Sequence, residues 1–174
     1  QQTTVGSGRV EVMEVFSYGC PVCDAFEPTM EALRRTLPAN AEVVLLPASY
    51  GNTAEDWPVF QRAYFAAQSL GIAGRTHQQI YDAIWKTGEL ATTVTDANGR
   101  HLKRPQPTIE DVARCYGRLT GIKPADFLAA AKSFAVDKVN NAYLQVTFNV
   151  PRGPVRYLAN HHIALPNAIG VTLR

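Results

Sequence analysis

Cysteine is scarce in this chain: 174 residues hold three, Cys20, Cys23 and Cys115. A scaffold stapled by disulfides needs a larger and even set. Cysteine is therefore used here for chemistry, with one residue left over. There is no long apolar run of the roughly eighteen residues that a membrane-spanning helix needs. There is no block of like charge either, and the net charge is only +2 with 18% charged residues. That balance is too mild to point to nucleic acid or an anionic membrane surface. The opening residues Gln1 to Gly8 lack the basic start and apolar middle of a signal peptide. With no initiator Met, the expectation is a chain whose signal peptide has been removed. What remains is an ordinary globular composition, 46% hydrophobic, long enough for one well-buried core and an inserted subdomain.

Arg9 to Ser17 is Val-rich and apolar on both alternations, the pattern of a strand covered on both faces. Tyr18-Gly19 breaks it. Cys23, Phe26, Met30, Leu33 and Leu37 then recur at spacings of three and four, one face of a helix that ends at Leu37-Pro38. Ala41 to Pro47 reads as a second strand, so the order fits a βαβ unit with a right-handed crossover. A polar stretch, Asn52 to Asp56, precedes a helical block. Trp57 to Leu70 is closed by Gly71, and Thr76 to Lys86 follows. Thr92 to Pro107 reads as a loop, with a small hairpin over Val94 to Leu102 around Asn98-Gly99. Thr108 reads as an N-cap with Asp111 as its reciprocal partner, and that helix ends at Gly121. Pro124 opens another helix, and a last one runs from Phe134 to about Thr147. Val155 to Ala159 and His162 to Leu165 read as short strands. The expected fold class is α/β: one mixed sheet with a helical subdomain inserted between its halves. Its parts are 1–56, the first half of the sheet domain; 57–148, the helical insert with its connecting helix; and 149–174, a short second half.

The chemistry is expected at Cys20-Pro21-Val22-Cys23. Two cysteines at i and i+3 can bridge when the first sits at a helix N-terminus and the second one turn in. Unsatisfied backbone N–H groups and the helix dipole favour a thiolate there, and the thiolate is the species that attacks. Cys20 is expected to be partly exposed and nucleophilic, and Cys23 to be the inward resolving thiol. Pro21 suits the first turn and stiffens the loop. A zinc site would need four ligands, and the candidates Cys115, His77, His101, His161 and His162 show no paired spacing. Cys115 shares a helical face with Val112, Tyr116 and Leu119 and reads as a buried, inert thiol. No metal and no cofactor beyond a redox-active Cys20–Cys23 disulfide is expected.

Glu14-Val15-Phe16-Ser17-Tyr18-Gly19-Cys20-Pro21-Val22-Cys23-Asp24-Ala25-Phe26-Glu27-Pro28 resembles the E-F-F-S-Y-x-C-P-H-C-x-x-F-E-P run of the DsbA-like periplasmic thiol:disulfide oxidoreductases. The likeness continues more weakly through Arg62 to Ala67 and Lys132 to Val136. It implies a thioredoxin-like mixed sheet with an inserted helical subdomain, a nucleophile at Cys20, a resolving cysteine at Cys23 and a buried acid at Glu14. Glu27 matches a further family acid, although its position also suits a solvated helix residue. Pro154, in Gly153-Pro154-Val155, is the nearest match to the family's cis-proline, with Pro151 as its competitor. Val22 departs from the family's usual His, which leaves the thiolate less stabilised and the disulfide a weaker oxidant. Tyr157 to Arg174 follows the family pattern poorly.

By resemblance the protein is a monomeric periplasmic dithiol oxidase. It would act on reduced, unfolded, newly exported proteins and be reoxidised by a DsbB-like quinone-linked membrane partner. No nucleic acid is expected. A disulfide reductase or isomerase of the same fold is the first rival, since Val22 leaves room for it. A chaperone-like module with a structural disulfide and a glutathione-using transferase are the others.

Overall fold

The computed structural model describes residues 8–49, 54–148 and 171–173. Strand β1, Val10–Phe16, pairs in parallel with β2, Ala41–Pro47, in a register that sets Val10 against Ala41 and Phe16 against Pro47. Helix α1, Pro21–Thr36, makes the crossover between them. On its other edge β1 pairs antiparallel with β5, Val171–Leu173, so the sheet order is β2-β1-β5 and β1 is central. This mixed sheet is the one expected, and β5, outermost on its side among the described residues, is too short to read from its own sequence. The strands expected at Val155 to Ala159 and His162 to Leu165 lie outside the described residues, as do Pro151 and Pro154.

Between β2 and β5 come α2 (Trp57–Ser69), α3 (Ala73–Trp85), the hairpin β3–β4 (Thr93–Asp96 and Gly99–Leu102), α4 (Ile109–Thr120), α5 (Pro124–Ala131) and α6 (Phe134–Phe148). Helix α3 starts three residues before the expected Thr76, because the Ala73 turn is buried along with the rest of the helix's inner face. The capping box of α4 is present: Thr108 N–H donates to Asp111 Oδ2 at 2.8 Å, and Asp111 N–H donates to Thr108 Oγ1 at 3.2 Å. Gly121 closes α4 in the left-handed conformation, φ 77°, which glycine adopts without a Cβ penalty.

The helical block is joined to the sheet by an aromatic cluster. Phe16 at the end of β1 meets Tyr18 edge-on at 5.1 Å, Tyr64 of α2 at 5.2 Å and His77 of α3 at 4.8 Å between ring centroids. Tyr18 in turn meets Tyr81 at 5.0 Å. Edge-to-face pairs of this kind add to the apolar area they bury, and they fix the loop between β1 and α1 against α2 and α3. Farther out, Tyr116 of α4 stacks on Phe127 of α5 at 4.5 Å.

Candidate active site

Cys20 is the N-cap of α1 and has an extended backbone, φ −93° and ψ 115°. Its carbonyl accepts from Cys23 N–H at 3.1 Å and from Asp24 N–H at 3.2 Å. Its thiol is held down to about 6, first by a hydrogen bond from the Cys23 thiol. Burial opposes this, the N–H groups of Cys23 and Val22 assist, and the negative Glu55 works against it. The Cys23 thiol is pushed far above its ordinary value by donating to Cys20 and by burial. One proton is thus held on the inner sulfur and the outer sulfur is the anion. The expected partial exposure of Cys20 is not found: Cys20 is 7% and Cys23 5% exposed. The two thiols differ in their hydrogen bonds and charge environment, not in access. Pro21 and Val22 form the exposed lip, with Val22 46% exposed.

The glycine before the pair is set by a close approach. A Cβ on Gly19 would lie 2.4 Å from Trp57 Nε1, so the indole of α2 packs on the bare backbone there. Trp85 Nε1 donates to the Tyr18 carbonyl at 2.9 Å, and two indoles therefore clamp the loop.

Beneath the pair lies a buried polar chain. Glu14 on β1 is 2% exposed and its carboxyl is raised to about 7, by burial and by the nearby Glu27, with Arg34 pulling it back. Arg34 donates from Nη2 to Glu14 at 3.1 Å and from Nη1 to Glu27 Oε1 at 2.8 Å. Glu27 Oε2 faces His77 Nε2 at 3.4 Å, and His77 Nδ1 is hydrogen bonded to the Tyr18 hydroxyl at 2.9 Å. Burial alone would raise the Glu27 carboxyl, but His77 and Arg34 outweigh it and its value is lowered.

Glu27 is therefore no solvated helix residue: it is 4% exposed. The inward face of α1 runs Cys23, Glu27, Met30 and half-buried Arg34, whereas the apolar residues alone suggested Cys23, Phe26, Met30, Leu33 and Leu37. Arg34 and His77 were missed as site residues. His77 stands on the stripe His77, Ile80, Tyr81 and Ile84, all buried, and that spacing was its signal. Among the described residues no cluster of three or more His, Cys, Asp or Glu side chains is disposed to hold a metal. Cys115 is fully buried, its thiol raised to about 11 by burial, with Arg118 at 3.7 Å.

A strand, a dithiol at a helix N-cap and a parallel return strand with a helical insert define a thioredoxin-like dithiol protein. No protein-family model matches the chain. The thiol:disulfide interchange protein DsbA of Pseudomonas syringae pv. tomato is 32% identical over 129 residues, 74% of this chain and 51% of that protein. DsbA of Pseudomonas aeruginosa is also 32% identical, over 74% of this chain and 52% of its own length. The crystal structure of the oxidoreductase DsbA from Xylella fastidiosa superposes with a TM-score of 0.69 at 29% identity, covering 85% of this chain and 71% of that one. The chain is a relative of the DsbA thiol:disulfide interchange proteins, as the motif run implied, and it has their thioredoxin-like fold. It spans about half the length of the curated relatives it matches.

Proposed function

We propose that this chain is a thiol:disulfide oxidoreductase that introduces disulfides into reduced, newly exported proteins through Cys20 and Cys23. The observation that carries this reading is the split between the two thiols, one lowered to about 6 and its neighbour raised. In the oxidised enzyme a substrate thiolate attacks Cys20 Sγ. The Cys20–Cys23 bond breaks as the mixed disulfide forms, and Cys23 leaves as a thiolate that takes up a proton. Glu14, with its carboxyl near 7, is suited to supply it. A second substrate thiolate then attacks the substrate sulfur of the mixed disulfide, and Cys20 leaves as a stabilised thiolate. Two substrate thiols have become a disulfide, and the enzyme holds the two electrons as its dithiol. A stabilised Cys20 thiolate is a good leaving group and favours the reduced enzyme, which is the condition for an oxidant.

The same reading places the protein in the bacterial periplasm as a monomer, regenerated by a DsbB-like quinone-linked membrane oxidase. It is supported by the DsbA names of the bacterial relatives. A reductase is the second reading, since Val22 gives Cys20 no side-chain donor. The reduction potential in glutathione buffers separates the two. A value above roughly −180 mV is expected for the oxidase, and one below roughly −250 mV would make the chain a reductase. Cys20→Ser must abolish oxidation of a reduced substrate protein.

A further inference from the structure

Around the mouth of the pair stands a second charged group that the exchange steps above do not use. Asp56, in the left-handed conformation at φ 51°, turns the chain between Glu55 and Trp57. Three donors from two different parts of the helical block converge on Glu55 Oε2. Trp57 Nε1 donates at 3.3 Å, Thr92 Oγ1 donates at 3.2 Å, and Arg100 Nη2 makes an ion pair at 3.6 Å. Arg100 is on β4 of the hairpin. It also lies 5.8 Å from the Trp85 ring and donates through Nε to Thr93 Oγ1 at 3.0 Å. Trp57 and Trp85 are the two indoles that clamp Gly19 and Tyr18. The hairpin is thereby linked to the active-site loop by two routes, one through Trp85 and one through Glu55 and Trp57.

We infer that Arg100 and Glu55 form a potential-setting pair, the hairpin's cation screening a carboxylate bonded to the indole that packs on Gly19 beside Cys20, an assignment that rests on the thiol-exchange reading. Val22 brings no charge or donor to Cys20. The Glu55 charge disfavours the thiolate, less than burial does, and the Glu55 side chain is 19% exposed, so solvent screens it only in part. Arg100, 46% exposed, offsets that charge from the solvent side. Other ionisable groups lie around the pair. Cys23 donates to Cys20, Glu14 acts on Cys23, and Tyr81 is buried within the field of both thiols. None of these is bonded to the hairpin. Arg100 is therefore a positioning residue that acts on Cys20 through Glu55.

The test is a double-mutant cycle read by thiolate absorbance of the reduced protein against pH, a titration that needs no exchange activity. Arg100→Gln is expected to raise the Cys20 pKa and to weaken oxidation of glutathione about two- to fivefold, the range for a half-exposed ion pair. Glu55→Gln is expected to lower the pKa, and Arg100→Gln added to it is expected to change nothing further. Arg100→Lys should restore most of the wild-type value, and about 1 M salt should erase the Arg100 effect. An Arg100→Gln protein with unchanged Cys20 titration overturns the proposal. So does an Arg100→Gln shift of equal size in the Glu55→Gln background, since that is hairpin loosening. If the cycle behaves as expected but the wild type oxidises no protein thiol, the exchange reading fails and the electrostatic pair stands.

Discussion

Arg34 reaches Glu27 with one guanidinium nitrogen, at 2.8 Å, and Glu14 with the other, at 3.1 Å. A single cation on α1 thus serves two buried acids from two elements. Removing it leaves two carboxylates close together with no counter-charge from α1. Breaking a buried or half-buried ion pair by deleting one partner costs more than the pair itself contributes. Arg34→Gln is expected to lower the unfolding free energy by about 2–3 kcal/mol and to raise the Glu14 carboxyl above its present value near 7. The midpoint of urea unfolding measures the first. An Arg34→Gln midpoint equal to wild type would mean that the acids are neutral in the native state.

This chain of charges also marks the limit of what the residues reveal unaided. The βαβ opening, the dithiol at a helix start and the Thr108–Asp111 cap were legible because each has a local pattern: alternation, a strand-to-helix break, or a four-residue box. Glu27 and Arg34 were not, because periodicity arguments count apolar residues. Here the inward stripe of α1 is half polar, made tolerable only by partners on β1 and α3. His77 joins Glu27 from a residue fifty positions along the chain, a relationship that tertiary packing alone creates. Strand β5 was illegible for a different reason: three residues carry too little alternation to register, and their pairing with β1 supplies the order. The Arg100–Glu55 pair likewise joins a hairpin to a loop through no sequence signature.

The Glu14 carboxyl gives a pH dependence whose sign is set by its raised value. The folded protein keeps this proton up to about pH 7, whereas the unfolded chain loses it near 4.5. The native state therefore binds more protons across that interval, and stability falls as pH rises through it, by about 3 kcal/mol. Glu27 runs the other way: its lowered value means that its contribution is lost as pH drops below about 4.5. A Cys20→Ser protein, which carries no thiolate at position 20, is expected to be most stable near pH 4.5–5. Glu14→Gln in that background should flatten the decline toward pH 8. A urea midpoint that stays level between pH 5 and 8 in Cys20→Ser would show that Glu14 ionises at its ordinary value.

The thiols add a redox-specific dependence. In the reduced protein Cys20 ionises near 6, while the unfolded thiol ionises near 9. The folded state binds fewer protons between these values, so the reduced form gains stability as pH rises from about 6 to 9. Above 9 the trend reverses, because folded Cys23 holds its proton after the unfolded thiol has lost it. The oxidised protein has neither thiol to ionise. Parallel unfolding series of the two forms are expected to show the stability of the reduced form, relative to the oxidised one, climbing through neutral pH and peaking near pH 9. Parallel curves would mean that Cys20 is not acidic in the native state.

Val22 offers the most direct control of the reaction. It is 46% exposed at the lip of the pair, so a polar side chain there displaces no core contact. An imidazole at this position can donate to the Cys20 sulfur and, when protonated, place a positive charge beside it. Val22→His is expected to lower the Cys20 pKa from about 6 by about one unit and to raise the reduction potential by about 30 mV. The gain should appear as faster release of the mixed disulfide, because the Cys20 thiolate becomes the better leaving group. Glutathione equilibration and stopped-flow oxidation of a reduced peptide measure the two effects. A Val22→His protein with a lower Cys20 pKa but an unchanged potential would mean that the oxidised form is stabilised equally, and that thiolate stability does not govern the direction of exchange here.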